Sequence, residues 1–331
     1  MRAILSRRAG GSETLSLEEI DDPDCGPDEV RVCVHACGIN YPDALVIRDL
    51  YQVKPERPFA PGTEIAGVVD QVGDHVHGFA IGDRVIGRAN WGGLAEAVVL
   101  TPDRLISMPD AMPMEVGASF LFTFATAYYA IANRGQAHSG ETMLVLGAAG
   151  GIGSAACAIG NALGLRVIAG VSSQEKLAFA TQHGAHDGVI YSPELQPDGQ
   201  RDLSKAFRAA AGANGIDIVC DAVGGNYAEA ALRSLNPGGR HLVVGFTAGI
   251  PKIALNLALL KSCSIVGVNL RSLAMAEPEH NQQIVATLLD LYNQGKLKPA
   301  VSHMFPLEQA RDAIAMIEER KANGKVVVML R

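Results

Sequence analysis

The residues whose types and spacing most directly suggest chemistry lie in a glycine-rich turn. The apolar run TMLVL leads straight into Gly147-Ala148-Ala149-Gly150-Gly151-Ile152-Gly153 and then into the helical pattern SAACAIGNAL. Aligned on its last two glycines, the turn reads A-x-G-x-x-G, and a strand before it with a helix after it is the context that gives this motif meaning. Gly150 lets the backbone approach a pyrophosphate, and Gly153 lets the helix pack closely on the strand. The helix start at Gly151 and Ile152 offers unpaired N–H groups and a positive dipole end to phosphate. A purely structural tight turn would use glycine as well, but the βαβαβ series around it favours a dinucleotide site.

The second strand of that series ends RVIAG-Val171-Ser172-Ser173-Gln174-Glu175-Lys176. An NAD-preferring fold places an acid near this point to bond the ribose 2′-OH, and no carboxylate stands at the strand end. Ser172 and Ser173 can instead donate to a 2′-phosphate, with the Lys176 charge one helical turn on. Ser172-x-x-Glu175 also reads as a capping box for the next helix, which would leave Ser173 and Lys176 for the phosphate. The missing acid favours NADPH as cofactor.

Three other patterns carry less. Asp74-His75-Val76-His77 looks metal-like, but it falls in a glycine-flanked turn with no third ligand nearby in sequence. Cys33 and Cys37 share a strand face, where thiols are ordinary packing. Tyr292-x-x-x-Lys296 mimics a short-chain reductase signature, but it comes after the sixth strand, and Gly295 ends its helix before Lys296.

The elements that must hold these residues fall into two grammars. Up to about residue 110 the chain reads as short β segments, MRAILS, EVRVCVHACG, EIAGVVDQVG, RVIG and AEAVVL, with YPDALVIRDL as the first helix among them. From Glu141 strands and helices alternate: TMLVL, RVIAG, GVIY, IDIVCD, RHLVVGF and SIVGV, with helices between, specify a doubly wound parallel sheet of six strands. The sheet being complete at SIVGV, strand count assigns the remaining helices and the last strand, KVVVML, to the first domain. The expected fold class is α/β, with a β-rich domain of 1–124 and 265–331 and a Rossmann domain of 125–264.

Composition sets the outer limits. The 331 residues suit about two domains. Lys+Arg of 28 against Asp+Glu of 35 gives a net charge of −7, with no basic stripe, so nucleic acid is not an expected partner. The charge-free stretches 116–133 and 142–165 are broken by glycines, serine or threonines and read as buried core, not membrane spans. MRAILSRRAGGSETL lacks the apolar core of a signal peptide and the six cysteines contain no C-x-x-C pair, so a reducing cytoplasm is expected.

Taken together, GINYPDALVIRDLYQVKPERPFAPGTEIAGVVDQVG, GAAGGIG, SSQEK, DAVGG and GKVVV resemble the zinc-independent NADPH:quinone oxidoreductases of the medium-chain dehydrogenase/reductase superfamily over essentially the whole chain. The resemblance implies a GroES-like catalytic domain around a Rossmann domain, with the nicotinamide between them. It also implies that the positions holding catalytic zinc in the alcohol dehydrogenases are Asn40, in GINYPD, and Thr63, in GTE. An amide and a hydroxyl are poor zinc ligands, and no four-cysteine lobe is present, so no metal is expected. By the same resemblance Asn40 and Tyr51 line the substrate site, Thr126 contacts the nicotinamide end, Tyr191 lies near the 2′-phosphate, and Phe246 and Lys325 lie near the cofactor. Tyr51 also matches the proton donor of the related enoyl-thioester reductases.

The function expected is reduction of a small electron acceptor, a quinone or another conjugated carbonyl. An enoyl-thioester reductase and a non-catalytic NADPH-binding protein are the alternatives. A homodimer is expected from the resemblance and from SIVGV, an apolar edge strand left without a partner. Cofactor choice is directly testable. Lys176→Ala should weaken NADPH selectively, by about 1.5–3 kcal/mol, while leaving NADH little changed in a fluorescence titration. Equal affinity of the parent protein for the two cofactors would contradict the assignment.

Overall fold

Strand pairing organises the first third of the chain in the computed structural model, which describes all residues, Met1–Arg331. β1 (Arg2–Ser6) and β2 (Leu15–Glu19) form a separate antiparallel pair. β3 (Val30–Ile39), rich in Val, Ile, Ala and Cys and buried along most of its length, pairs antiparallel with β4 (Glu64–Val72). β5 (Arg84–Arg88) continues the sheet from β4, β6 (Ala97–Leu100) adds to β3, and β7 (Leu105–Ser107) adds to β5. The segment YPDALVIRDL gives only a short helix, α1 (Tyr41–Val46), because the chain turns out through Asp49 in a left-handed conformation, φ 57°. α2 (Met114–Tyr128) follows β7.

The alternating grammar then appears as expected. In chain order come β8 (Thr142–Leu146), α3 (Gly151–Ala162), β9 (Arg166–Val171), α4 (Gln174–Gln182), β10 (Asp187–Ile190) and α5 (Gln200–Ala211). They are followed by β11 (Ile216–Asp221), α6 (Gly225–Ser234), β12 (Leu235–Val243), α7 (Asn256–Lys261) and β13 (Ser264–Gly267). All pairings in this six-stranded sheet are parallel, in the order β10-β9-β8-β11-β12-β13, the doubly wound arrangement. Leu144, Ile168 and Val219 on its strands pack with Phe207 of α5 and Tyr227 of α6.

α8 (Leu270–Ala276) and α9 (Pro278–Asn293) come next, then β14 (Val301–Pro306), α10 (Ala310–Glu318) and β15 (Lys325–Met329). β14 and β15 join the first sheet, whose order is β14-β15-β3-β4-β5-β7. The chain divides into one unit of Met1–Phe122 with Val301–Arg331 and a second of Thr123–Ala300. The return to the first unit is therefore at Val301, not at residue 265 as strand count suggested. β13 is bonded to β12, Arg134 donates to the Gly267 carbonyl, and Asn133 meets His280 at the start of α9, so 265–300 stays with the parallel sheet. No helix is long and apolar enough to cross a membrane.

Gly38 on β3 shows how closely the first unit is packed around its sheet. A Cβ there would fall 1.9 Å from the backbone oxygen of Ala118 on α2, a clash that only backbone movement relieves. Gly38→Ala should cost about 1–3 kcal/mol of stability, read as a lower midpoint in urea denaturation. A midpoint equal to that of the parent would contradict this packing.

Candidate active site

β3, β4 and β15 carry three side chains to one buried point in the first unit. Asn40 follows β3, Glu64 opens β4 and Lys325 opens β15, and each is 5% exposed or less. Lys325 Nζ donates to Asn40 Oδ1 at 2.6 Å and to Glu64 Oε2 at 3.1 Å. Asn40 Nδ2 makes long contacts to Glu64 Oε2, 3.3 Å, and to the Gly38 carbonyl, 3.4 Å, while Glu64 Oε1 takes the Phe122 amide at 2.8 Å. The lysine thereby fixes which way the Asn40 amide faces, since only the carbonyl oxygen of that amide can accept.

Asp43, in the first turn of α1, supports the same point. Its carboxylate takes the Asn40 backbone N–H at 2.7 Å. Burial pushes the Asp43 carboxyl up to about 6, and the Asn40 and Gly62 N–H groups and the Lys325 charge hold it from rising further. Cys37, wholly buried nearby, has its thiol pushed well above the usual range by burial, so it is a packing group and not a thiolate. Sequence reasoning had found Asn40 and Lys325 separately and had missed Glu64 and Asp43. The signal was available: both acids sit in segments whose neighbours are apolar, and a buried acid needs a partner. Tyr51 is half-buried against the first unit's core, and its hydroxyl makes no hydrogen bond within the chain.

In the second unit the glycine-rich turn stands where the motif placed it. Gly147 and Ala148 donate to the Gly170 carbonyl, tying the turn to the end of β9. A Cβ on Gly153 would lie 2.0 Å from the Gly147 oxygen, whereas one on Gly150 would meet nothing nearer than 3.4 Å. Gly153 is thus required by packing, and Gly150 leaves open the space a ligand backbone approach needs. Gly150 caps α3 without a side chain, so the amides of Gly151, Ile152 and Gly153 have no acceptor from a capping side chain. These features fit a dinucleotide pyrophosphate.

Around the turn, several expectations change in detail. Ser173, not Ser172, caps α4: its Oγ accepts the Lys176 N–H at 3.2 Å, and Lys176 Nζ donates to Ser172 Oγ at 3.3 Å. Ser172 and the Lys176 ammonium are therefore held together at the end of β9. Tyr191 is buried, and its hydroxyl accepts the Gly147 N–H at 3.3 Å, so it props the turn from inside. Burial raises its phenol pKa. Thr126 is half-buried on α2, and Phe246 is exposed in the 244–249 loop after β12.

A GroES-like domain with a six-stranded doubly wound domain and this turn defines a medium-chain dehydrogenase/reductase. Residues 26–110 match the family model described as the alcohol dehydrogenase GroES-like domain, and residues 197–328 match that described as zinc-binding dehydrogenase. The chain is 36% identical to quinone oxidoreductase-like protein 2 of Rattus norvegicus, covering 96% of this chain and 90% of that protein. Quinone oxidoreductase of Thermus thermophilus, solved alone and with NADPH, superimposes with a TM-score of 0.83 at 32% identity, each chain covered fully. The Escherichia coli quinone oxidoreductase complexed with NADPH gives 0.90 at 27% identity, again over the whole of both chains. The chain belongs to the quinone oxidoreductase family of this superfamily.

The zinc implied by one of those family models does not suit the residues present. The positions that the resemblance matches to zinc ligands hold the Asn40 amide and the Thr63 hydroxyl, and Asn40 Oδ1 already accepts from the Lys325 ammonium at 2.6 Å. A divalent cation on that oxygen would face Lys325 at close range in a buried setting, where like-charge repulsion is weakly screened. Lys325 itself is what keeps Glu64 compensated. Lys325→Met should therefore cost about 3–5 kcal/mol, and adding Glu64→Gln should return part of the loss in chemical denaturation. Parent-like stability of the single variant would refute the coupling.

Proposed function

We propose that this chain is an NADPH-dependent reductase that transfers a hydride to quinones or other conjugated carbonyls without zinc. The observation that carries the reading is the Asn40–Lys325–Glu64 cluster, which puts a protein ammonium on the residue that would otherwise be a metal ligand. Bound NADPH supplies the hydride, from C4 of its nicotinamide. The chain does the rest: the amides of Gly151, Ile152 and Gly153 bind the pyrophosphate, and Ser172 and Lys176 meet the 2′-phosphate. Thr126 and Phe246 contact the cofactor, and the amide of Asn40, locked by Lys325, faces the oxygen on which negative charge develops. The NADPH complexes of the Escherichia coli and Thermus thermophilus relatives support the choice of cofactor.

Alcohol oxidation gains most from a Lewis acid, whereas a quinone carries its added charge on oxygens that are stable as anions. That difference favours a quinone as acceptor. One observation favours a second reading: the Tyr51 hydroxyl, unengaged within the chain, suits the proton donor of an enoyl-thioester reductase. The chain's free cysteines accord with a reducing cytoplasm. We also propose a homodimer in which β13, bonded only to β12, pairs with its counterpart, and the exposed Leu255, Leu259 and Leu260 beside it are covered.

Two measurements test these proposals. In a panel of quinones, enones and enoyl-CoA esters scored by NADPH consumption, quinones should turn over fastest, and Tyr51→Phe should retain quinone turnover within roughly tenfold. A loss of about 10²–10⁴-fold on enoyl-CoA esters, with those the preferred acceptors, would instead support the thioester reading. No consumption with any acceptor would leave only NADPH binding. Light scattering at micromolar concentration should give the mass of two chains, and a monomer would contradict the paired edge.

A further inference from the structure

β11 ends at Asp221, whose carboxylate is buried and fully engaged. Oδ1 accepts the backbone N–H groups of Val223 and Gly224, each at 2.8 Å, and Oδ2 faces His241 Nε2 at 3.0 Å. His241 stands on the neighbouring strand β12 and is 1% exposed, and its Nδ1 has no partner. A proton on Nδ1 would be a buried donor with no acceptor, so this geometry suits the tautomer that donates from Nε2 to Asp221. The imidazole then acts as a directional strut. It occupies one carboxylate oxygen and so keeps the other aimed at the two amides.

The backbone that Asp221 holds is in a significant place. Asp221 lies opposite Leu146 of β8, and between β8 and β11 the strand order of the sheet reverses. In sheets of this kind the ligand crevice opens beyond the carboxyl ends of the strands at that point. One wall is the glycine-rich turn after β8, and the other is the 222–225 segment after β11. The walls touch closely: a Cβ on Gly147 would lie 2.8 Å from Val223 Cγ2. The same segment carries the 244–249 loop, since Ala248 donates to the Val223 carbonyl and Gly225 to that of Gly249.

We propose that His241, acting through Asp221, is a positioning residue for the dinucleotide, setting the 222–225 wall against the glycine-rich turn and steadying the loop that bears Phe246. The inference rests on the NADPH reading above. It assigns His241 no part in hydride transfer, so its loss appears in cofactor affinity and not in the rate at saturating cofactor.

The test is an NADPH fluorescence titration and steady-state kinetics on His241→Leu, His241→Gln and Asp221→Asn. Leucine cannot donate, so H241L should raise the NADPH dissociation constant about tenfold or more, while kcat at saturating NADPH stays within about twofold. Glutamine can present an N–H to the same oxygen, and H241Q should stay within about threefold of the parent. D221N turns an amide toward the imidazole and should weaken NADPH as H241L does, which keeps the test decisive if H241L does not fold. Parent-like NADPH affinity in a folded H241L or D221N would overturn the proposal, as would equal losses in H241L and H241Q. A parent protein that does not bind NADPH would overturn the cofactor reading instead.

Discussion

A buried ammonium between an amide and a carboxylate is the constraint on which the first unit depends. Lys325 opens β15, and the residues after it pair with the end of β3 as Val326 to Ile39 and Val327 to Gly38, while Gly38 also pairs with Glu64 of β4. The strand order β15-β3-β4 is thus what brings together three polar groups from distant parts of the chain. Each alone would be costly to bury, and together their donors and acceptors match. Asp43 adds a second acid beneath Asn40, so the segment entering α1 is held from both its side-chain and its backbone groups.

The second unit reaches a comparable rigidity with backbone amides. Tyr191 and the Gly170 carbonyl fix the turn after β8, and Asp221 fixes the segment after β11. Tyr191, just past β10, ties down the turn that follows β8, whereas Asp221 ties down the segment that follows its own strand and is met by His241 from β12. Glycine makes those loops able to approach a ligand, and the buried tyrosine, aspartate and histidine keep them from using that freedom.

Much of this was legible in the sequence, for reasons that differ between the units. Period and punctuation define the parallel sheet, because its inner strands β8, β9 and β11 are short runs buried along most of their length and α3, α4 and α5 begin after glycine or serine. The β-rich unit was harder: β2, β7 and β14 are short or only partly buried, and their patterns are weak. Helices α8 and α9 belong to the second unit, which strand count cannot reveal, because a complete sheet says nothing about which unit the later helices pack on. In the site, the glycine motif was legible since its chemistry is local. The Asn40–Lys325–Glu64 cluster was not, since it is assembled by strand register between segments more than two hundred residues apart. The shift of the α4 cap from Ser172 to Ser173 is a one-residue change that propensity cannot resolve, both residues being good caps.

The Lys325 ammonium occupies Asn40, the position that by resemblance matches a zinc ligand of the alcohol dehydrogenases, so the proposed reduction with NADPH needs no metal ion. Metal content and NADPH:quinone turnover measured on one chelator-dialysed preparation test it most directly. The expected result is substoichiometric metal with turnover unchanged by the chelator and unaffected by added zinc. Turnover lost on dialysis and restored by stoichiometric zinc would contradict it.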